Sequence, residues 1–307
     1  MTWRIVPYDL PLAVPYRWAH GTQTRRRGLL VTDGTGWGEC APPPHDVLPD
    51  LAAQAARHEP DWDAAPDRIR CGYATAALDT KARAAGKPLA ALLGTPRDSV
   101  AVNALLVEPR GAIADAARAA WDAGHRTFKI KLDDGDDEAR VAAVRDACPQ
   151  ATLRLDPNGC WRDPVASMDR LAAYDIEYVE DPGDGPVEGA IPAAADATVG
   201  SLDDLEVLLA SPWAEWAIIK PQRLGGPDRA AAAVQRCMEE GMNVTVTNSL
   251  ETSVGLHAAL HVAALAPDHA HGLGTARFFA HDLASPPAIQ AGRMALPRAG
   301  LGVVPDA

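Results

Sequence analysis

From residue 99 onward the chain alternates short apolar runs, typical of strands, with alanine- and leucine-rich stretches at helical spacing. The strand-like runs recur at intervals of roughly 20 to 30 residues, which indicates βαβ units and a parallel sheet. Strands are predicted over residues 99–106, 126–132, 151–156, 176–180, 192–201, 214–220, 243–248 and 270–274. Helices are predicted between them, over residues 111–123, 136–147, 166–174, 203–211, 227–240 and 254–265.

Eight strands of this kind favour a closed (β/α) barrel over an open, doubly wound sheet. No Gly-x-Gly-x-x-Gly motif follows the first strand, so the sequence does not indicate a dinucleotide-binding fold. In a (β/α) barrel the active site lies at the C-terminal ends of the strands. Polar residues at those ends are therefore the candidates for function.

Residues 1–97 have a different pattern, that of a separate α+β unit. Short strands are predicted over residues 3–8, 28–32 and 36–40, and a helix over residues 72–94. Thr95 and Pro96 mark the boundary, because proline cannot continue a helix.

Charge and composition exclude several classes of function. A net charge of −12 and a pI near 5.1 argue against nucleic acid as a partner, because no basic field offsets phosphate repulsion. The five cysteines are widely spaced and form no Cys-x-x-Cys pair, so reduced thiols in the cytoplasm are the simplest interpretation. No signal peptide is recognised, and no apolar run reaches the roughly 18 residues of a membrane span.

Lysine is rare in this chain, and three of the five lysines stand in or at the ends of predicted strands. Lys129 and Lys131 form a Lys-x-Lys pair in one strand, and Lys220 closes another. Most other basic positions are arginine, which cannot lose its proton near neutral pH, whereas a perturbed lysine can. These lysines are either solvated residues at strand ends or amines that transfer protons.

Carboxylates close the strands between these lysines. Lys131 and Asp156 are 25 residues apart, Asp156 and Glu180 are 24 apart, and Asp196 precedes Lys220 by 24. Three carboxylates from neighbouring strands could converge on one cation, and hard oxygen ligands suit Mg²⁺. Together with the lysines, such an ion could attract an anionic substrate to an otherwise acidic protein.

Several motifs carry a resemblance to a known family. The segments that carry it are Lys-Ile-Lys, Asp-Pro-Asn-Gly at 156–159, Tyr-Val-Glu-Asp-Pro at 178–182, Ile-Pro-Ala-Ala-Ala-Asp at 191–196 and Ile-Ile-Lys at 218–220. The chain resembles the enolase superfamily, muconate-lactonising subgroup. Residues 248–256 and 272–275 resemble the o-succinylbenzoate synthase family within it, and the helix ending in Leu-Leu-Gly94 resembles the capping domain.

The resemblance implies an α/β fold, a (β/α)₇β TIM-like barrel with an α+β capping domain built from both termini. The implied parts are a cap over residues 1–97, a barrel over 98–280 and a C-terminal segment, 281–307, that returns to the cap.

The resemblance also implies a divalent ion, Mg²⁺ with Mn²⁺ as the alternative, on Asp156, Glu180 and Asp196. Lys131 would remove a proton α to a carboxylate, and Lys220 would face the intermediate from the other side as a cation. Lys129 and the metal are expected to lower the pKa of Lys131 from its ordinary value of about 10.4.

One departure from the family pattern concerns the third carboxylate. Glu180 and Asp196 are only 16 residues apart, so the fourth βα unit is predicted to be a short turn. A competing alignment makes residues 197–201 the fifth strand and puts Val199 at the ligand position.

Further residues are candidates for contacts with substrate. Asn158, Asn248 and Ser249 are predicted to touch it, with a turn role as the alternative for Asn158. Arginines 25–27 form a basic cluster that either attracts an anionic substrate or stays solvated.

The implied reaction is the metal-dependent syn-dehydration of 2-succinyl-6-hydroxy-2,4-cyclohexadiene-1-carboxylate to o-succinylbenzoate, a step of menaquinone biosynthesis. One alternative is racemisation of N-acylamino acids or epimerisation of dipeptides on the same fold. The dipeptide epimerases usually carry an Asp-x-Asp on the last strand, where residues 272–277 read Gly-Leu-Gly-Thr-Ala-Arg. The other alternative is a non-catalytic barrel that binds an anionic metabolite. The expected partner is a small anionic carboxylate, with no nucleic acid and no membrane, and association into a homo-oligomer stays open.

Overall fold

The computed structural model describes residues 2–18, 21–43, 47–133 and 135–306, with the backbone alone at residues 17 and 18. The N-terminal part is an antiparallel sheet of three strands, in the order β1-β2-β3, against which two helices pack. The elements are β1 (Arg4–Trp18), β2 (Gly21–Thr32), β3 (Trp37–Cys40), α1 (Leu48–His58) and α2 (Asp67–Ala84). β1 and β2 pair as a hairpin that extends beyond the strands predicted over residues 3–8 and 28–32. The far half of this hairpin was not predicted, because its sequence alternates too little to be recognised as strand.

Two predictions for the N-terminal part were wrong in detail. Helix α1 was not predicted, and α2 ends at Ala84 instead of continuing to residue 94. The cause lies in Gly86, which adopts a left-handed conformation at φ 61°, and in Pro88, which cannot continue a helix. A short 3₁₀ helix, Leu89–Leu92, follows instead.

A sheet of seven parallel strands forms the centre of the second part, as the alternating pattern predicts. Its strands, in both sequence and spatial order, are β5 (Ala104–Leu106), β6 (Thr127–Lys131), β7 (Thr152–Asp156), β8 (Ile176–Glu180), β9 (Ala193–Ala195), β10 (Trp216–Ile219) and β11 (Asn243–Val246). The connecting helices are α3 (Arg110–Asp122), α4 (Asp137–Ala147), α5 (Pro164–Leu171), α6 (Leu202–Ala210), α7 (Pro221–Leu224), α8 (Pro227–Glu239) and α9 (Ser253–Ala263).

The ring is closed by isolated parallel bridges instead of a regular eighth strand. His271 bridges to Val102, and Gly272 bridges to Thr247, so this segment links the two edges of the sheet. The predicted strand over 270–274 is thus reduced to single bridges, since glycine at positions 272 and 274 weakens a strand.

The predicted strand over 99–106 is divided between two sheets. Its first half, β4 (Ser99–Ala101), pairs antiparallel with β13 (Arg293–Ala295), which in turn pairs with β12 (Ile289–Gln290). Only the second half, β5, belongs to the barrel. Local sequence does not reveal this division, because the partner of β4 lies almost 200 residues further along the chain.

The fourth βα unit contains no helix, as predicted. Residues 181–192 connect β8 directly to β9 as a loop. The two strands nevertheless pair in parallel, with Glu180 beside Ala194.

Contacts between the N-terminal sheet and the barrel involve a buried carboxylate. Glu39 on β3 is 1% exposed and accepts hydrogen bonds from the backbone N–H groups of Thr252 and Gly255, at 3.0 and 2.9 Å. These groups belong to the N-terminus of α9, where a negative charge is favoured. The Tyr8 and Thr252 hydroxyls also donate to Glu39, at 2.5 and 2.6 Å. One buried side chain therefore joins the two parts.

The C-terminal segment contacts the N-terminal part. Leu301 is buried in the same apolar cluster as Leu30 and Leu89, and its N–H donates to Asp79 at 2.6 Å. The limits of the three regions, at residues 97 and 280, stay a prediction. In the part of the chain described here, no helix combines the length and apolarity that a membrane crossing needs.

Packing of the helices against the sheet accounts for the stability of the barrel. We predict that Leu153→Ala, which removes a fully buried side chain from β7, lowers the free energy of unfolding by about 2–5 kcal/mol. Leu92→Ala is the matched control, because Leu92 is 38% exposed and its truncation leaves a much smaller cavity. Denaturant unfolding of both variants measures the difference, and equal losses would contradict the assigned core.

Candidate active site

The C-terminal ends of the barrel strands open into a cavity of about 560 Å³. Strand ends bring polar side chains to one edge of a parallel sheet, as expected for a barrel. All nine predicted site residues line this cavity: Lys129, Lys131, Asp156, Asn158, Glu180, Asp196, Lys220, Asn248 and Ser249. The structure thus gathers these nine residues around one cavity, whereas Arg25 and Arg27 of the basic cluster lie outside it.

The first half of the site is a chain of alternating ammonium and carboxylate groups. Lys129 and Lys131 are two residues apart on β6, so both side chains point to the same face of the strand. Both ammonium groups lie 2.7 Å from Asp156 Oδ2, and Lys129 Nζ also lies 2.5 Å from Glu180 Oε2. In-register pairing of Lys131 with Asp156 across β6 and β7 sets this arrangement.

The second half of the site is centred on Asp196. Its carboxylate accepts hydrogen bonds from Lys220 Nζ and, at 3.1 Å, from Arg223 Nη1. Asp181 holds the backbone here, because its carboxylate accepts from the N–H groups of Asp196 and Ala197 at 3.0 and 2.8 Å. Asp196 is therefore fixed by its side chain and by its backbone.

The structure decides where the fifth barrel strand lies. Strand β9 is Ala193–Ala195, and Asp196 follows it directly. Residues 197–201 form a turn in place of the strand of the competing alignment, and Val199 is 1% exposed. The carboxylate of Asp196 therefore stands at the strand end, beside those of β7 and β8.

Burial and mutual repulsion shift the pKa values of these carboxyl groups in opposite directions. Burial, together with the charges of Asp156 and Asp196, raises the pKa of Glu180 to about 8 although Lys129 opposes it. Burial and the Asp196 charge raise the pKa of Asp181 to about 6. Lys220 and Arg223 outweigh burial and lower the pKa of Asp196 to about 2. The two lysines likewise hold the pKa of Asp156 well below its ordinary range.

The pKa of Lys131 is not lowered overall by the protein groups around it, contrary to expectation. Burial and the neighbouring Lys129 do lower the pKa of the Lys131 ammonium, but the Asp156 carboxylate outweighs them and the pKa is raised. The expectation considered the second lysine and left out the acceptor 2.7 Å away. The ammonium form of Lys131 is therefore the stable one while Asp156 is bound to it.

The donor set fits a hard divalent ion. Asp156, Glu180 and Asp196 offer oxygen ligands on three adjacent strands, and burial together with the charges of Asp156 and Asp196 raises the pKa of Glu180, as expected for carboxyl groups gathered near one another. Within the described ranges no three such side chains are already gathered closely enough to hold an ion, because lysine ammonium groups stand between them. Their role as metal ligands stays a prediction.

The three predicted substrate contacts differ in their surroundings. Asn158 has a left-handed backbone, at φ 51°, and its Oδ1 accepts from Lys131 Nζ at 2.9 Å, so it is a turn residue that also faces the site. Asn248 donates to Thr275 Oγ1 at 2.7 Å. Asn248 Oδ1 and Ser249 Oγ are buried and have no hydrogen-bond partner among the described residues. These two atoms are available to a ligand.

Besides Arg223, two further arginines line the cavity and lay outside the nine residues predicted for the site. Arg26 on β2 belongs to the basic cluster of the sequence, and Arg68 comes from α2. Their burial depends on how the N-terminal sheet covers the barrel, which local sequence does not reveal.

Comparisons with known proteins agree with this architecture. Residues 112–307 match the Enolase C-terminal domain-like family. The chain is 33% identical over 292 residues to the o-succinylbenzoate synthase of Thermobifida fusca, covering 90% of this chain and 82% of that protein. Its structure superimposes with a TM-score of 0.90 on a mandelate racemase/muconate lactonizing protein from Herpetosiphon aurantiacus, at 22% identity, covering 100% of this chain and 98% of the other. For the L-Ala-D/L-Glu epimerase of Bacillus subtilis the TM-score is 0.88, at 23% identity, covering 100% and 99%.

The chain belongs to the enolase superfamily, in its muconate-lactonising subgroup, and it is an enzyme with a barrel and a capping domain. Within that subgroup its sequence is similar to the o-succinylbenzoate synthases. The predicted family and fold class are therefore confirmed. The alternative of a non-catalytic barrel would gain weight only from a fifth strand without its carboxylate, and Asp196 directly follows that strand.

We predict that the affinity for Mg²⁺ or Mn²⁺ rises between pH 6 and about 8, because Glu180 must lose its proton to become a ligand. Asp196→Asn should weaken binding by at least about tenfold, because a carboxylate ligand is lost. Val199→Ala is the control, since the competing alignment puts Val199 at the ligand position. This variant should bind the divalent ion as tightly as the wild type does. Titration calorimetry measures both. A pH-independent affinity, or equal losses in the two variants, would contradict the carboxylate assignment.

Proposed function

We propose that the protein catalyses the syn-dehydration of 2-succinyl-6-hydroxy-2,4-cyclohexadiene-1-carboxylate to o-succinylbenzoate. The observation that carries this proposal is the placement of two lysines at opposite ends of a row of carboxylates in one cavity. Lys131 ends β6 and Lys220 follows β10, with the carboxylates of β7, β8 and β9 between them. The similarity to the o-succinylbenzoate synthase of T. fusca supports the same substrate.

In this proposal Lys131 moves the proton. The neutral amine takes the proton from the carbon α to the substrate carboxylate, and the electron pair of that C–H bond forms the enediolate. Collapse of the enediolate breaks the C–O bond at the neighbouring ring carbon, and the Lys131 ammonium protonates the departing hydroxide to give water. One base on one face of the ring is sufficient for both transfers.

The other side chains bind and orient. A divalent ion on Asp156, Glu180 and Asp196 would supply positive charge for the substrate carboxylate as the enediolate forms. Lys220, held by Asp196, would add a cation on the opposite face. Asn158 holds the Lys131 ammonium at 2.9 Å and directs it toward the cavity. Lys129 balances the charges of Asp156 and Glu180.

A second candidate function is racemisation of N-acylamino acids. Lysines on both faces of the site are what a two-base racemase requires, because one removes the proton and the other returns it from the opposite side. The fold shared with the B. subtilis epimerase is compatible with this reaction. Epimerisation of dipeptides is less well supported, since residues 272–277 lack an Asp-x-Asp.

The two lysines separate these mechanisms. We predict that Lys131→Ala abolishes exchange of the α-proton with solvent and lowers kcat of dehydration by about 10²–10⁴. Lys220→Arg keeps the positive charge but cannot donate or accept a proton near neutral pH, so dehydration should continue at a reduced rate. Lys87→Arg, on the exposed surface, is the matched control and should change nothing. If Lys220→Arg abolishes dehydration as completely as Lys131→Ala, the one-base mechanism is wrong.

Substrate preference tests the proposed reaction itself. With Mg²⁺ present, kcat/KM for the cyclohexadiene carboxylate should exceed that for N-acylamino acids and dipeptides by at least about tenfold. The aromatic product is followed by its absorbance, and racemisation by polarimetry or by deuterium incorporation. Loss of activity after exhaustive chelation, restored by Mg²⁺, is expected in the same assay. A preference for an N-acylamino acid would assign the racemase reaction instead.

A further inference from the structure

Arg26 is a buried cation that faces the cavity. On β2 its neighbours Arg25 and Arg27 point to solvent, where both bind Asp9, whereas Arg26 is 2% exposed. Its Nη1 donates to the carbonyl oxygen of Pro42 at 2.6 Å, and its Nε has no hydrogen-bond partner among the described residues. Burying a guanidinium with an unused donor is costly unless a ligand accepts from it.

Arg68 lies on the same side of the cavity. Its Nη1 donates to the carbonyl oxygen of Ala41 at 3.2 Å, one residue before the acceptor of Arg26. Burial and the positive charges of Arg223 and Arg26 lower the pKa of Arg68 although Glu251 opposes them, so these guanidinium groups lie close enough to repel one another. Two like charges held together in a partly buried wall favour an anion between them or beside them.

The remaining cations of the cavity are already neutralised. Lys129 and Lys131 bind Asp156, and Lys220 and Arg223 bind Asp196. In the described ranges Arg26 and Arg68 are the cavity-lining cations for which the structure gives no carboxylate within ion-pair distance. Their charge is therefore available to a bound anion, and the guanidinium plane matches a carboxylate in two parallel hydrogen bonds.

We propose that Arg26 and Arg68 form a subsite for a second carboxylate of the substrate, apart from the carboxylate on the reacting carbon. This inference rests on the proposed function, because the proposed substrate is a dicarboxylate with a succinyl chain. The row of Asp156, Glu180 and Asp196 would receive the ring carboxylate through its cation, and the arginine pair would receive the succinyl carboxylate. Arg26 and Arg68 would thus select dicarboxylates.

A purely structural role for Arg26 makes a different prediction. Burial raises the pKa of two carboxyl groups, Glu39 and Glu251, and the positive charge of Arg26 opposes this rise, so Arg26 could serve only to balance their charge. In that case its removal would loosen the contact between the N-terminal sheet and the barrel, and every ligand would be affected alike. The subsite predicts a loss for dicarboxylates alone.

The test compares two ligands that share one skeleton. o-Succinylbenzoate carries the second carboxylate, and 2-butanoylbenzoate has a methyl group in its place. Binding of each is measured by calorimetry with Mg²⁺ present, for the wild type and for Arg26→Met, Arg68→Met and Arg25→Met. The last is the matched control, because Arg25 comes from the same strand and its charge is bound to Asp9 on the outer face.

We expect the wild type to bind o-succinylbenzoate at least about tenfold more tightly than 2-butanoylbenzoate. Arg26→Met and Arg68→Met should each remove most of this difference and leave the affinity for 2-butanoylbenzoate nearly unchanged. Arg25→Met should retain the full difference between the two ligands. KM for the cyclohexadiene substrate should rise in the same two variants, with a smaller change in kcat.

Three results would overturn the subsite: equal affinities of the wild type for the two ligands, equal losses for both ligands in the variants, or no loss in either variant. If Arg26→Met does not fold, Arg68→Met decides, since Arg68 is half-buried whereas Arg26 is 2% exposed, and its substitution should disturb the fold less. If the wild type shows the binding difference but does not dehydrate the cyclohexadiene, the proposed function fails and the subsite stands.

Discussion

The register between β6 and β7 is the constraint on which the site depends. It places Lys131 directly beside Asp156. Parallel pairing of β8 with β9 brings Glu180 and Asp196 to the same edge of the sheet. A shift of one residue in any strand would turn its terminal side chain to the opposite face. The charges of the site are therefore positioned by the backbone hydrogen bonds of the sheet, and the apolar cores on either side of the strands hold that register.

The same register explains why the lysines and carboxylates form pairs. A buried charge without a partner of opposite sign would strongly destabilise the fold. At this edge the ammonium and carboxylate groups alternate, so that each charge is neutralised by its neighbours. Burial and the neighbouring carboxylates nevertheless raise the pKa of Glu180 to about 8. In the proposed function, a divalent ion would take the place of the lysines as the partner of these carboxylates.

Much of the site could be predicted because its residues end strands with regular spacing. Apolar runs that are recognisable from local sequence precede Lys131, Asp156, Glu180 and Lys220. Predicting Asp196 required one further assumption, that the fourth βα unit is a short turn. Features that depend on distant pairing could not be predicted. The division of residues 99–106 between two sheets is one example, and the burial of Arg26 between two solvated arginines is another. The raised pKa of Lys131 belongs to the same group, since it follows from a contact distance.

The loop over residues 181–192 has a consequence for the chain before it folds. It is the shortest connection between adjacent parallel strands of the described sheet, so closing it costs the least conformational entropy. Contacts between residues near in sequence also form early, which favours pairing of β8 with β9 ahead of the wider crossovers. Asp181, at the start of this loop, then ties down the backbone of Asp196. A short loop, in place of a helix, thus brings the carboxylates of Glu180 and Asp196 to neighbouring strand ends.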